Sequence, residues 1–304
     1  DINYKREKSL TYNMQKFHNI EVKQNTLILP VSKHLKKSNT EITLLDLACG
    51  TAGDLLKWNK SNIDLVLGID INHNNIYDHI DGACKRYNDY MDKYKNNKNT
   101  KCYWLVGNSS KNIKNSDCFE EKESKELYKK YKSDLPNLFN IISLQFALHY
   151  FFKDEESLNN LIKNINENLK KGGYFIGTCF DGELVFNMLK NKEFIEISNE
   201  KGVIFRIDKK YNNKSFNKYY NIPIDVYLHS INNTIEEYLV NFKYFVEIMK
   251  KNNLELLTEK ECKDINIDNS EGLFKDIYND KYNLSDNEKD ISFMYRYFIF
   301  KKKI

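Results

Sequence analysis

No Cys-x-x-Cys pair occurs in this chain, and its six cysteines (Cys49, Cys84, Cys102, Cys118, Cys179, Cys262) are scattered. That spacing excludes the common structural zinc frameworks and the dense disulfide scaffolds of small secreted folds. It makes a reducing compartment the default and a metal site unexpected. Three prolines and eleven glycines in 304 residues are too few for long disordered linkers. No apolar run reaches membrane-spanning length and no signal peptide is visible, so no membrane partner is expected. Neither sign of charge dominates. The formal net charge of +4 does not demand a nucleic-acid partner, though it permits an anionic one. What remains is a globular composition, 41% hydrophobic and 30% charged, with enough chain for a sizeable core. The first residue is Asp1 rather than methionine, which suits a piece of a longer protein.

The pattern along the chain is strand-helix alternation. Residues 1–40 read as helical and basic, with Leu27, Val31 and Leu35 in helical register. Strands are expected at 42–47, 63–69, 102–106, 139–144 and 174–178. Between them lie helical stretches running through Trp58, over Ile76 to Met91, and from Asp154 to Lys171, the last ended by Gly172-Gly173. This alternation predicts an α/β fold with a mostly parallel sheet covered on both faces. Residues 191–233 read as a β-rich insertion or lid. A helix is expected from Thr234 to Lys251, a polar loop-rich stretch over 263–290, and a last strand from Phe293 to Phe300. Two segments result: a helical arm, 1–40, and a main domain, 41–304.

Ligands of open α/β sheets sit beyond the carboxyl ends of the strands. The stretch LDLACGTAGDLLKW (45–58) is therefore the first place to look. Ala48, Gly50, Ala52 and Gly53 let a ligand approach the backbone, and a helix N-terminus follows. Asp70 ends the second strand, where an acid can accept both hydroxyls of an adenosine ribose. It can equally cap the helix that follows. Asp54, a second acid directly after the turn, favours S-adenosylmethionine over a dinucleotide.

DLACGTAGDLLKW, GIDI, QFALHYFF and LKKGGYFIGT, in that order, resemble the mRNA cap (guanine-N7) methyltransferases, from about Phe17 to the C-terminus. NIYDHIDGACKRY (75–87) is most similar to the versions in large DNA viruses, where this enzyme often ends a multi-domain capping protein. The resemblance implies a Rossmann-like class I methyltransferase fold, with a seven-stranded, mostly parallel sheet and a β-rich lid. It implies S-adenosylmethionine as cofactor, 5′-capped mRNA as substrate, and triphosphatase and guanylyltransferase domains as potential neighbours in the same polypeptide. The compartment would be host cytoplasm or virion for a virus and nucleus for a cell. Matched positions imply donor contacts from Lys23, Ala48, Gly50, Asp70, Asn108, Ser109, Gln145 and Tyr150. They imply cap contacts from Asn19, Asp54, Lys57, Arg86, His149, Glu237 and Tyr295. The chain departs from the family turn at Ala48, Thr51 and Ala52, which stand for Gly, Lys and Gly. Asn108 stands for Asp, and the Asn19-to-Lys23 spacing is one residue longer than the family's.

The implied chemistry needs no catalytic base. Guanine N7 offers a lone pair with no proton to remove, so in-line positioning of donor and acceptor is sufficient. Glu237 could accept from the guanine N1–H and N2 amine together. Thr234-Ile-Glu-Glu237 also reads as a helix capping box. Two other functions stay open: methyl transfer to another nitrogen, and a degenerate methyltransferase serving as a structural or RNA-binding subunit.

Overall fold

The structure, a computed structural model, describes residues 11–95, 97–200, 202–229 and 233–303. The expected helical arm is described from Thr11 onward; residues 1–10 lie outside the described residues.

Five strands build the parallel part of the main sheet: β1 Thr43–Asp46, β2 Leu65–Asp70, β3 Lys101–Val106, β4 Phe139–Gln145 and β5 Leu169–Phe180. A smaller antiparallel sheet follows from β6 Phe194–Asn199, β7 Gly202–Lys209, β8 Pro223–Leu228 and β9 Asn233–Tyr238. β10 Leu254–Leu256, β11 Glu271–Leu273 and β12 Tyr295–Lys302 return to the main sheet. Its order is β10-β12-β5-β4-β1-β2-β3, with β11 added against β12 as an eighth strand. β12 runs antiparallel to its neighbours; β1 to β5 pair in parallel. β1 thus lies between β4 and β2, and the crevice beyond its carboxyl end is the expected ligand position for this topology.

Consecutive apolar residues in these strands serve opposite faces, as a period of two requires. Leu45, Leu67, Ile142 and Phe175 join one core cluster. Their neighbours Leu44, Val66, Ile141 and Ile176 join the other, with Leu27, Val31 and Trp58 from the helices. Burial on both faces explains why the strands read as unbroken apolar runs. A third cluster underlies the antiparallel sheet, where Ile224 and Val226 of β8 point inward with Phe205 and Ile207 of β7. Among the described residues no helix is long and apolar enough to cross a membrane.

Several expected elements are redrawn. The helix expected over Thr234–Lys251 is a strand followed by a shorter helix, Phe242–Lys251, whose N-cap is Asn241. Asn241 Oδ1 accepts from the Tyr244 amide at 3.1 Å. Residues 233–238 instead pair with β8, and Ile224 stands opposite Glu237. The capping-box reading of Thr234 and Glu237 is thereby excluded. The helix expected to end at Gly172-Gly173 stops at Asn168, and Leu169 already pairs with Phe139. Gly172, at φ +74°, lies within β5. The loop-rich stretch contains a short strand and helices at Glu259–Ile265 and Asp286–Ser292.

Gly177 marks the tightest point of the main sheet. A Cβ there would fall against the Phe298 ring and 2.5 Å from the Leu144 carbonyl oxygen, which is backbone and cannot step aside. We expect Gly177→Ala to lower unfolding free energy by about 2–3 kcal/mol, as overpacked cores do. Urea denaturation measures it, and a change under about 0.5 kcal/mol would contradict the packing described.

Candidate functional site

The turn after β1 is tied to β2 by two bonds. The Cys49 amide donates to the Ile69 carbonyl at 3.0 Å, and the Gly50 amide donates to Asp70 Oδ2 at 2.8 Å. Gly50 has φ +53°, and a Cβ at Gly50 or Gly53 would meet nothing within 4 Å, so this side of the turn faces open space. Asp70 Oδ1 accepts from the Asn72 amide and from Asn75 Nδ2, both at 2.9 Å. The helix cap that the sequence left open for Asp70 falls to Asn72, whose side chain accepts from the Asn74 amide. Asp70 is thus fixed by three donors, two on Oδ1 and one on Oδ2, and Oδ2 keeps a lone pair for a ligand.

Beneath the turn lies a buried charge cluster. Asp54 pairs with Lys23 at 3.1 Å and with Lys57 at 2.9 Å. Burial alone would raise the Asp54 pKa, but the two ammonium groups outweigh it and hold the carboxyl below its usual range. Asp46, at the end of β1, has no such partner. Burial, and then the neighbouring Asp54 carboxylate, push it up to about 7. Asp46 was not among the expected site residues. Its signal was an acid inside an otherwise apolar strand.

Lys23 reaches Asp54 from an unusual helix. His18–Ile28 has π-type hydrogen bonding, in which each turn takes in about one more residue than an α-turn. Lys23 Nζ also lies 5.3 Å from the centre of the Phe146 ring. Phe146 follows β4 at φ +54°, a strained conformation for a bulky residue. Its amide is held by the Thr178 carbonyl at 3.1 Å and the Thr178 hydroxyl at 2.9 Å. Around it gather His18, stacked at 5.6 Å, and Tyr295, edge-on at 5.2 Å. Tyr295 stacks on Phe180 at 4.1 Å. Phe146 and His18 were missed, because neither a backbone strain nor a widened helix has a sequence signature.

Glu237 of β9 lies close enough to Tyr295 to raise its hydroxyl pKa further, after burial, and beside Glu237 is His149, in the short helix Leu148–Phe151. His149 Nε2 and Glu237 Oε1 are 3.6 Å apart, too long for a hydrogen bond. Burial pushes the Glu237 carboxyl up to about 8 and holds the His149 imidazole down at about 3. Both groups are therefore driven towards neutrality, and their proximity is not an ion pair. His149 Nε2 and Glu237 Oε2 are buried with no hydrogen-bond partner. Buried polar atoms are rarely left so, and two at one place make this spot a candidate docking point for a polar ligand. The Tyr150 hydroxyl is raised to about 12 by burial and then by Glu237 and Asp70, which places Tyr150 between the two halves of the site.

The mRNA (guanine-N(7))-methyltransferase domain family matches residues 2–303. The chain belongs to this family. An mRNA cap guanine-N(7) methyltransferase of Arabidopsis thaliana is 30% identical over 89% of this chain and 75% of its own length. A protein of Acanthamoeba polyphaga mimivirus described as an mRNA-capping enzyme is 32% identical over 80% of this chain. The match spans 21% of that longer protein. Among solved structures, an S-adenosylmethionine-dependent methyltransferase from Clostridium acetobutylicum superposes with a TM-score of 0.52 at 10% identity, over 95% of this chain and 98% of its own. The fold is accordingly the Rossmann-like methyltransferase fold, and the activity is cap guanine-N7 methylation with S-adenosylmethionine.

For this cap methyltransferase the other expected contacts divide. Ala48 lies in the turn, its amide on Asp46 Oδ1 at 3.1 Å. Gln145, at the end of β4, accepts from the Thr178 hydroxyl at 3.2 Å. Asn108 Oδ1 accepts from both the Ser110 amide and hydroxyl, at 3.0 and 2.7 Å. The Ser109 hydroxyl donates to the Leu47 carbonyl at 2.6 Å and so braces β1. Asn19 Nδ2 donates to the Gln15 carbonyl of its own helix at 2.8 Å. Lys57 is buried against Asp54 and the Gly53 carbonyl. Arg86 is exposed on the helix Ala83–Lys93, with no side-chain ion pair among the described residues.

Ala52 sits buried at φ +57°, a region that penalises any Cβ. Ala52→Gly should therefore raise unfolding free energy by about 0.5–1 kcal/mol. Destabilisation on urea unfolding would show that the turn does not strain this residue.

Burial of Glu237 also makes stability depend on pH. Folded Glu237 keeps its proton to about 8, well above the unfolded value, so its contribution is complete at low pH and is lost as pH rises through that value. Glu237→Gln should gain on the native protein between pH 5.5 and 8.5. A gap independent of pH would show that the carboxyl is not held neutral.

Proposed function

We propose that this chain methylates guanine N7 by positioning alone, with Asp70 and the β1 turn on the donor side and Glu237 and His149 on the guanine side. When bound, S-adenosylmethionine supplies a methyl group already activated on a sulfonium. Guanine N7 presents a lone pair and no proton, so no side chain here needs to act as a base. Holding reactants at near-attack distance can account for about 7–11 kcal/mol of the barrier.

Asp70 would accept the ribose hydroxyls, while the Asp46, Asp54, Lys23 and Lys57 cluster balances the charges of the methionine end. The observation that carries the guanine assignment is the unpartnered pair, Glu237 Oε2 and His149 Nε2. A carboxylate accepts from guanine N1–H and N2 together, a pairing that adenine cannot offer, and the imidazole edge can meet O6. Phe146 and Tyr295 supply an aromatic wall, which favours the cation that forms on the methylated guanine. Tyr150, 44% exposed, stands at the junction of the two halves.

We place the chain as the methyltransferase module of a longer capping polypeptide, by analogy with the mimivirus relative that exceeds it in length. Its compartment would then follow the site of transcription, the host cytoplasm for a virus or the nucleus for a cell.

Methyl transfer to GpppG, compared with ApppG, tests the reading; equal rates would defeat the guanine assignment. Asp70→Ala should weaken donor binding by about 100-fold or more in calorimetry, since it removes charged acceptors from both hydroxyls. Unchanged affinity would reject that role. Because only the carboxylate form of Glu237 pairs with guanine, cap binding should tighten as pH rises from 6 to 8.5. Glu237→Gln should bind cap at least about tenfold more weakly and without that pH dependence.

A further inference from the structure

The chain's net charge of +4 conceals a local excess. Residues 209–222, KKYNNKSFNKYYNI, contain Lys209, Lys210, Lys214 and Lys218 and no acid. This stretch joins β7 to β8. Lys214 and Lys218 are exposed and make no ion pair among the described residues, whereas Lys210 is paired with Asp225 at 2.9 Å. Lys209 lies over the Tyr211 ring. Tyr219 is 56% exposed and stacks on Tyr244, with centroids 4.2 Å apart and planes 15° from parallel. One ring of the pair thus rests on protein while much of the other stays open.

This segment is fastened beside the guanine site. The Asn221 amide donates to the Phe152 carbonyl at 2.8 Å, just beyond the helix that carries His149 and Tyr150. Asn241 Nδ2 donates to the Lys218 carbonyl at 3.1 Å, and the Tyr220 hydroxyl donates to Glu155 at 3.2 Å. The segment then enters β8, whose Ile224 pairs with Glu237. Of the nearby acids, Glu183 is paired with Lys243 at 2.9 Å, and Glu247 lines the same cleft as Tyr219 and Tyr244.

We propose that the β7–β8 segment is a contact surface for the RNA body downstream of the cap, with Lys214 and Lys218 taking backbone phosphates and Tyr219 extending its stack by one base. Unpaired lysines and an open aromatic face side by side are the combination that binds single strands without regard to sequence. This deepens the cap-methyltransferase reading and rests on it for where the strand begins.

The test compares native protein with Lys214→Ala/Lys218→Ala/Tyr219→Ala on GpppG and on a capped 20-nucleotide RNA. The variant should raise KM for the 20-mer about tenfold or more and leave kcat and the GpppG KM unchanged. An equal effect on both substrates, or none on either, overturns the surface. Lys250→Ala/Lys251→Ala, on exposed residues at the end of another helix, should leave the 20-mer KM unchanged. An equal loss there would mean that overall charge, rather than this segment, attracts RNA. Fluorescence anisotropy with an uncapped 20-mer provides a readout independent of methylation. The triple variant should bind about tenfold more weakly, with a salt slope lower by about one for each lysine removed. Undiminished binding refutes the surface even if neither protein methylates GpppG, a failure that would instead refute the guanine reading.

Discussion

Asp54 holds two lysines at once, and the donor half of the site is built around that arrangement. Lys23 comes from the N-terminal arm, Asp54 from the turn after β1, and Lys57 from the helix that follows. The bond therefore fastens the arm to the sheet at the point where the ligand crevice opens. Asp54 and Lys57 are buried and Lys23 is partly so; removing one partner from a buried pair leaves a charge without compensation, typically a loss of about 3–5 kcal/mol. The widened helix is best understood in this light. Its π-type turns deliver Lys23 to Asp54.

The half proposed to hold guanine follows a different logic. Here the polar groups are left unanswered rather than paired. Glu237 and His149 meet at 3.6 Å, each driven towards neutrality by burial. An aromatic wall of Phe146, Tyr295 and Phe180 adjoins them, with Phe180 buried and the other two rings partly open. One side of the site thus offers balanced charge to a charged ligand. The other offers unmet hydrogen-bonding capacity to a neutral base.

Much of the fold and of the donor site was legible because its causes are local. Strands buried on both faces read as apolar runs, and a small-residue turn followed by an acid at the end of β2 marks a nucleoside site. Thr234 to Glu237 defeated local reading because T-x-x-E serves equally as a helix start or an alternating strand. Pairing with β8, distant in sequence, decides between them. Lys57 and Ser109 illustrate a second limit. The resemblance implied ligand contacts for both; their polar atoms also bond within the protein, to Asp54 and the Leu47 carbonyl, partners that lie outside any local pattern. Phe146 illustrates a third, since a positive φ at a bulky residue is imposed by Thr178 across the sheet.

The inner face of β9 follows the period of two set by β8, with Ile235 opposite Val226 and Glu237 opposite Ile224. A slip of one residue would turn that whole face over, withdrawing Glu237 and presenting Glu236 in its stead. On the proposed reading, the choice of base is thus written in strand register, and the β8–β9 pairing that sets this alignment shares in substrate discrimination with the carboxylate it presents.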